Sequence, residues 1–132
     1  GEKQYDDFGL KYIQRIVDAI KEVPVTIFSK GAISSLNEIC KLDCNTIGLD
    51  WNMNIEKVRD FVGDSKTIQG NLDPSALYGS FGEIEKSTKE MLQNFGTQKH
   101  IANLGHGVYP DIHPDNLKCF IDTIKNNQTN QI

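Results

Sequence analysis

A histidine set between two glycines, Gly105-His106-Gly107, is the sharpest chemical feature of this 132-residue chain. Glycine on both sides removes side-chain bulk and lets the backbone carry an imidazole close to a ligand. An imidazole, with an ordinary pKa of about 6.5, donates a proton or pairs with an anion near neutral pH. The same pattern also describes a surface histidine between two turn glycines, and spacing alone leaves both readings open. Asp50 and Trp51 follow the apolar run Ile47-Gly48-Leu49. The acid there can orient a cationic group or cap the next helix, and the indole can wall a flat, apolar substrate or simply pack. Asn71 and Asp73 read first as turn builders, because Asp73-Pro74 has the form of a helix start. Tyr109 shares the loop of His106, and Lys30, before Gly31, can hold a carboxylate or stand in solvent. His100 and His113 read as capping or exposed side chains rather than reactants.

No self-sufficient catalytic set emerges from these residues. Ser29 lacks the glycine-flanked setting of a strained nucleophilic turn. The three cysteines, Cys40, Cys44 and Cys119, form no CxxC pair and are odd in number. A disulfide framework favours even, denser cysteines, and a structural zinc site wants four ligands at tight spacing. They read as reduced, partly buried thiols in a reducing intracellular setting, with no metal expected.

Charge narrows the function classes further. Fourteen Lys and Arg against eighteen Asp and Glu give a net charge of −4. An acidic chain with no clustered basic stripe does not present a nucleic-acid footprint. No apolar run approaches the ~20 residues a membrane span needs. No secretory signal opens the chain, although a segment removed upstream of Gly1 would leave no trace.

Helices and strands must position these groups, and they alternate. Phe8, Tyr12, Ile16 and Ile20 recur every four residues within 5–22, widened by Leu10, Ile13 and Val17. That periodicity predicts an amphipathic helix with this stripe buried. Strands are expected at Val25–Phe28, Thr46–Leu49, Thr67–Gln69 and His100–Leu104. Between them lie a helix begun by a Ser35/Glu38 capping box, a helix over Ile55–Val62 capped by Asn54, and one from Phe81 to Phe95 with a Ser80/Glu83 capping box. A last helix runs from Pro114 to about Asn126, leaving 127–132 as a frayed polar tail after one domain over 1–126.

A leading helix followed by four strand–helix units, with short apolar strands, predicts an α/β fold with a parallel sheet. The unit length suits either a doubly wound sheet or part of a (β/α)8 barrel. No GxGxxG or P-loop sequence follows any strand. Four strands cannot close a barrel alone, so the chain is either a small open domain or half of one. In either case the loops after the strands share one rim, where chemistry sits in such folds.

Those loops carry a resemblance. Ile47-Gly48-Leu49-Asp50-Trp51, Gln69 to Tyr78 (QGNLDPSALY) and His100 to Asp111 (HIANLGHGVYPD) closely resemble the uroporphyrinogen decarboxylase family, in order and spacing, from about Phe8 to Lys125. The resemblance implies the C-terminal half of a (β/α)8 TIM barrel: its last four βα units and one preceding helix. It implies a homodimeric enzyme that removes carbon dioxide from the four acetate side chains of uroporphyrinogen, giving coproporphyrinogen, without metal or organic cofactor. The family's arginine-bearing segment, its aspartate facing the pyrrole NH groups, a tyrosine and a small hydroxyl residue belong upstream of Gly1. Of the family's binding-site residues, the one matched here is the histidine of the Gly-His-Gly loop, His106. Asp50, Asn71 and Tyr109 are weaker substrate-binding candidates.

It follows that the chain alone is expected to be inactive. It should need the N-terminal half of the same barrel or else self-associate through its open sheet edges. The pathway places the enzyme in the cytoplasm, or in a plastid if a targeting segment precedes Gly1. Two rivals stay open: a non-catalytic α/β module that binds a ligand or partner, and a zinc-dependent methyltransferase-like barrel. The methyltransferases resemble the chain at Asn71-Leu72-Asp73-Pro74. They place a His-x-Cys ligand pair after the strand where this chain has Phe28-Ser29-Lys30-Gly31.

Overall fold

The computed structural model of the chain describes residues 2–129. Helix α1 (Glu2–Tyr5) passes through a wide π turn (Asp6–Leu10) into α2 (Lys11–Ala19). Strand β1 (Thr26–Phe28), helix α3 (Leu36–Lys41), β2 (Thr46–Gly48), α4 (Ile55–Val62), β3 (Thr67–Leu72), α5 (Phe81–Phe95), β4 (His100–Leu104) and α6 (Pro114–Thr129) follow. All neighbouring strands are parallel and lie in the order β1-β2-β3-β4.

That order decides between the two α/β arrangements. A doubly wound sheet reverses strand order at its switch point, whereas a barrel adds each strand beside the last. Here no reversal occurs, and Ile27, Ile47, Ile68 and Ala102 all point toward the one core built with the helices. Leu36, Ile39, Val58, Val62, Ile84, Met91, Phe95 and Phe120 meet them from the helical side. On the opposite face the register sets Phe28, Gly48, Gln69 and Ile101 side by side. Phe28 and Ile101, at the two edges of that row, are each 46% exposed. The chain is thus four consecutive βα units of a (β/α)8 barrel, its outer layer packed and its inner face open.

Several local signals are realised as the residues dictate. Ser80 Oγ accepts from the Glu83 N–H while the Glu83 carboxylate accepts from the Ser80 N–H, a complete capping box for α5. Asn54 caps α4 through the Lys57 N–H, and Gly63 and Gly96 end α4 and α5 at positive φ. Other expectations give way. Ser35 makes no cap; its hydroxyl is buried without a partner, because a 3-10 turn over Ile33–Ser35 runs directly into α3. Helix α2 stops at Ala19 rather than residue 22, since Ile20 already takes extended backbone ahead of Pro24. Strand β3 continues to Leu72, three residues beyond Gln69, because β4 pairs with it as far as Leu104. Helix α6 continues to Thr129, so 127–129 are helical rather than frayed, and the rest of the expected tail, 130–132, lies outside the described residues.

The leading helical segment corrects the expected burial. Val17 is fully buried and Leu10 and Ile13 pack on the core, but Phe8, Tyr12 and Ile16 are 77, 47 and 59% exposed. Three apolar residues at four-residue spacing therefore face away from the sheet. The helix lies at one end of the arc, so it has a packed neighbour on one side only, and its second apolar side is uncovered among the described residues.

Candidate functional site

The rim beyond the carboxyl ends of the strands is knitted together by one buried acid. Asp50 follows β2 and is 0% exposed. Its Oδ2 accepts the Gly31 N–H at 2.6 Å from the loop after β1, and its Oδ1 accepts the Asn52 N–H at 2.9 Å. From β3, the Asn71 side-chain amide donates to the carbonyls of Asp50 at 2.9 Å and Met53 at 3.0 Å. From β4, the Gly105 N–H donates to the Leu72 carbonyl at 2.7 Å. Buried polar groups of this kind must be paired; the Asn52 bond shapes the loop after β2 itself, and the others tie one post-strand segment to the next. All four post-strand loops are thereby locked to a common frame.

His106 stands on that frame, exposed, at the open side. Its ring centre lies 6.0 Å from that of Trp51, edge to face at 84°, and 6.2 Å from that of Phe28. The Lys30 ammonium sits 5.1 Å from the centre of the same Trp51 ring. Close approach makes this arrangement possible. A Cβ on Gly105 would stand 2.4 Å from the Trp51 nitrogen, and one on Gly48 would stand 3.1 Å from the Phe28 ring. The two glycines beside His106 therefore differ: Gly105 is wedged against the loop after β2, and Gly107 has open space where a Cβ would be. A cavity of about 620 Å³ begins at Phe28, Gly48 and Gln69 on the inner face. It runs past His106 and over the free edge of β4 to Leu117, Phe120 and Ile121 of α6.

The weaker candidates are placed differently. Asp50 and Asn71 reach the same rim as His106, but the Asp50 carboxylate and the Asn71 amide donors are engaged by backbone, which makes both of them loop anchors. Tyr109 belongs to a second group: its ring stacks on Tyr78 at 6.2 Å and 19°. The Tyr78 hydroxyl donates to Asp111 at 2.6 Å, and that bond, which keeps the proton on the phenol, pushes Tyr78 up to about 12. Phe28 is the site residue that sequence reading passed over. Strand parity could have found it, since Ile27 faces the helices and its successor must face the other way.

Cys40, Cys44 and His100 are built into the fold. Burial pushes the Cys40 thiol up to about 11 and raises that of Cys44, which keeps both protonated and poorly nucleophilic. Among the described residues no group of three or more His, Cys, Asp or Glu is placed to hold a metal ion. No helix among them is long and apolar enough to cross a membrane. His100 stacks on Phe95 at 3.8 Å, and its Nε2 lies 2.8 Å from the Gly70 carbonyl. Burial, with Arg59 nearby, holds its pKa below the ordinary imidazole value of 6.5. The unfolded chain then binds a proton that the folded ring resists, so stability falls as pH drops below about 6.5. Urea midpoints between pH 7.5 and 5.5 are expected to decline, and His100→Gln is expected to flatten that decline. An identical pH dependence in the variant would remove His100 as its source.

Comparison with known proteins agrees with this geometry. The family model described as uroporphyrinogen decarboxylase matches residues 1–127. The uroporphyrinogen decarboxylase of Francisella philomiragia is 40% identical over 129 residues, with 93% of this chain and 38% of that protein aligned. Those of Ovis aries and Homo sapiens are 41% and 39% identical, each aligned over 94% of this chain and 36% of the relative. The chain thus spans little more than a third of the length of the curated relatives it matches. A solved methyltransferase from Methanosarcina mazei superposes with a TM-score of 0.81 at 14% identity, over 97% of this chain and 38% of that one, which speaks to the fold alone. Four βα units sharing one locked rim, matched in sequence from end to end of the sheet, belong to the uroporphyrinogen decarboxylase family.

Proposed function

We propose that this chain supplies the C-terminal wall and part of the active-site rim of a uroporphyrinogen decarboxylase. In that reaction each acetate CH2–COO− bond breaks, carbon dioxide leaves, and the electron pair flows into a pyrrole already protonated on a ring carbon. The side-chain carbon then takes a proton and becomes a methyl group while the ring carbon gives its own proton back and the pyrrole regains aromaticity, so each turn releases one carbon dioxide and consumes one proton net. Because the pyrrole is itself the electron sink, the protein's task is to place charge and move protons. No metal or organic cofactor is required by this reading.

The observation that carries it is the position of His106, an exposed imidazole lining an open cavity with its ring centre 6.2 Å from that of Phe28 and 6.0 Å from that of Trp51. There it can hydrogen-bond a substrate carboxylate or assist proton transfer, while the two rings wall a flat pyrrole. Asp50 and Asn71 serve by holding the loops. The rest of the site, the cover for the inner face and the dimer partner come from polypeptide beyond these residues, in the cytoplasm or a plastid. A non-catalytic module or a zinc methyltransferase draws no comparable support from the rim, where Phe28-Ser29-Lys30-Gly31 stands in place of the methyltransferase His-x-Cys.

The test is His106→Ala in the assembled enzyme, made by joining residues 1–127 to the N-terminal portion of a family member. The expected result is a loss of kcat/KM of roughly 10- to 100-fold, the scale of one hydrogen bond to a charged group, with an unchanged melting curve. Unchanged kinetics would remove His106 from the site.

A further inference from the structure

We infer that Lys30 is a second carboxylate-binding group of this rim, held in place for a polyanionic ligand by Asp50; the ligand class assumed rests on the decarboxylase reading above. The argument begins with the loop. Gly31 has a φ of +71°, a turn that a side chain rarely adopts, and this glycine is the residue whose N–H is gripped by the buried Asp50 carboxylate at 2.6 Å. The residue just before that anchored point is Lys30, so its Cα is fixed although its side chain is exposed. Its ammonium rests 5.1 Å over the centre of the Trp51 ring. An exposed cation over an indole gains a modest electrostatic attraction, enough to bias a rotamer without consuming the charge.

The charge is available. Lys30 forms no ion pair among the described residues, whereas Lys21, Lys41, Lys86, Lys89 and Lys118 each lie against a carboxylate. The acid that anchors its loop, Asp50, is turned inward onto main-chain N–H groups. His106 approaches the same indole from its own loop, with a ring-centre separation of 6.0 Å. One aromatic platform thus carries two separate donors, an ammonium from the loop after β1 and an imidazole from the loop after β4. A ligand with a single carboxylate has use for one of them. A flat ligand bearing carboxylates on neighbouring arms can engage both, so Lys30 sets preference for a substrate rich in carboxylates rather than acting on the bond that breaks.

The test uses the assembled enzyme with Lys30→Met, which keeps an unbranched stem over Trp51 without the charge, and Lys30→Arg, which keeps charge and stacking. Calorimetric titration with the octacarboxylate uroporphyrin, which is not turned over, is expected to show binding weakened about tenfold in Lys30→Met and restored in Lys30→Arg. In turnover, KM is expected to rise similarly with kcat within about twofold. Added salt should narrow the difference between wild type and Lys30→Met. Equal binding by wild type and Lys30→Met, or an arginine variant as weak as the methionine one, would overturn the assignment. If uroporphyrin binds in a Lys30-dependent way but no carbon dioxide is released, the decarboxylase reading fails and Lys30 stands. If turnover is normal and KM indifferent to Lys30→Met, the reverse holds.

Discussion

Gly105→Ala is expected to be the most damaging single methyl group that can be added to this rim. The new Cβ would stand 2.4 Å from the Trp51 nitrogen and 3.0 Å from the Asp50 carbonyl carbon and the Trp51 Cα. All three are backbone atoms, and the Asp50–Trp51 segment cannot retreat easily. Asp50 is fully buried with its carboxylate bonded to Gly31 and Asn52, and its carbonyl accepts from Asn71. The loop bearing His106 must move instead, straining the bond from the Gly105 N–H to Leu72. Overpacking of this kind costs about 1–3 kcal/mol. A shift of about 1 Å at a catalytic group costs on the order of 100-fold in rate. Both losses should appear together in the assembled enzyme, as a lowered urea midpoint and a reduced decarboxylation rate. Gly107→Ala is the control: open space awaits its Cβ, and its φ lies outside the positive range. Near-normal behaviour is expected there. A Gly105→Ala enzyme as active as wild type would show that the tight contact does not position His106.

The second large effect is complete loss. The 132-residue chain by itself is expected to release no carbon dioxide from uroporphyrinogen above the uncatalysed rate. Its rim offers one imidazole and one unpaired ammonium, and its inner face is open at both ends, with Phe28 and Ile101 half exposed. A carboxylate on such a surface remains in water, where electrostatic stabilisation is weak. Strands β1 and β4 are the end strands of the sheet, each with a strand partner on one side only among the described residues, and self-association through these edges is the expected behaviour of the isolated chain. Restoration of activity on joining to the N-terminal portion of a family member would complete the result. Turnover by the purified chain alone, measured as coproporphyrinogen formed, would refute it and with it the claim that the site is shared.

Residues 8–20 show how much of this was legible beforehand. Their four-residue spacing announced a helix correctly, because periodicity is a property of the local chain. It could not announce which apolar side is covered here, since burial depends on a neighbour, and the stripe through Phe8, Tyr12 and Ile16 has none among the described residues. Strand β3 failed to show its length for a related reason. Gly70 and Asn71 are poor strand formers by type, and pairing with Ala102 and Asn103 extends the ladder through them. Ser35 carried a capping pattern, but a 3-10 turn already supplied the helix with its entry, and the hydroxyl was left buried.

The alternation of strands and helices, the stops at Gly63 and Gly96, the capping box at Ser80 and the family signature in the loops after the strands were all present in the amino-acid sequence. Each depends on a few neighbouring residues and the backbone preferences they impose. The sequential strand order, the anchoring of Gly31 by Asp50, the wedge between Gly105 and Trp51 and the gathering of Phe28, Lys30 and His106 around one rim required the tertiary structure. These are contacts between residues 19 to 78 positions apart, and no local preference encodes a distance across the sheet.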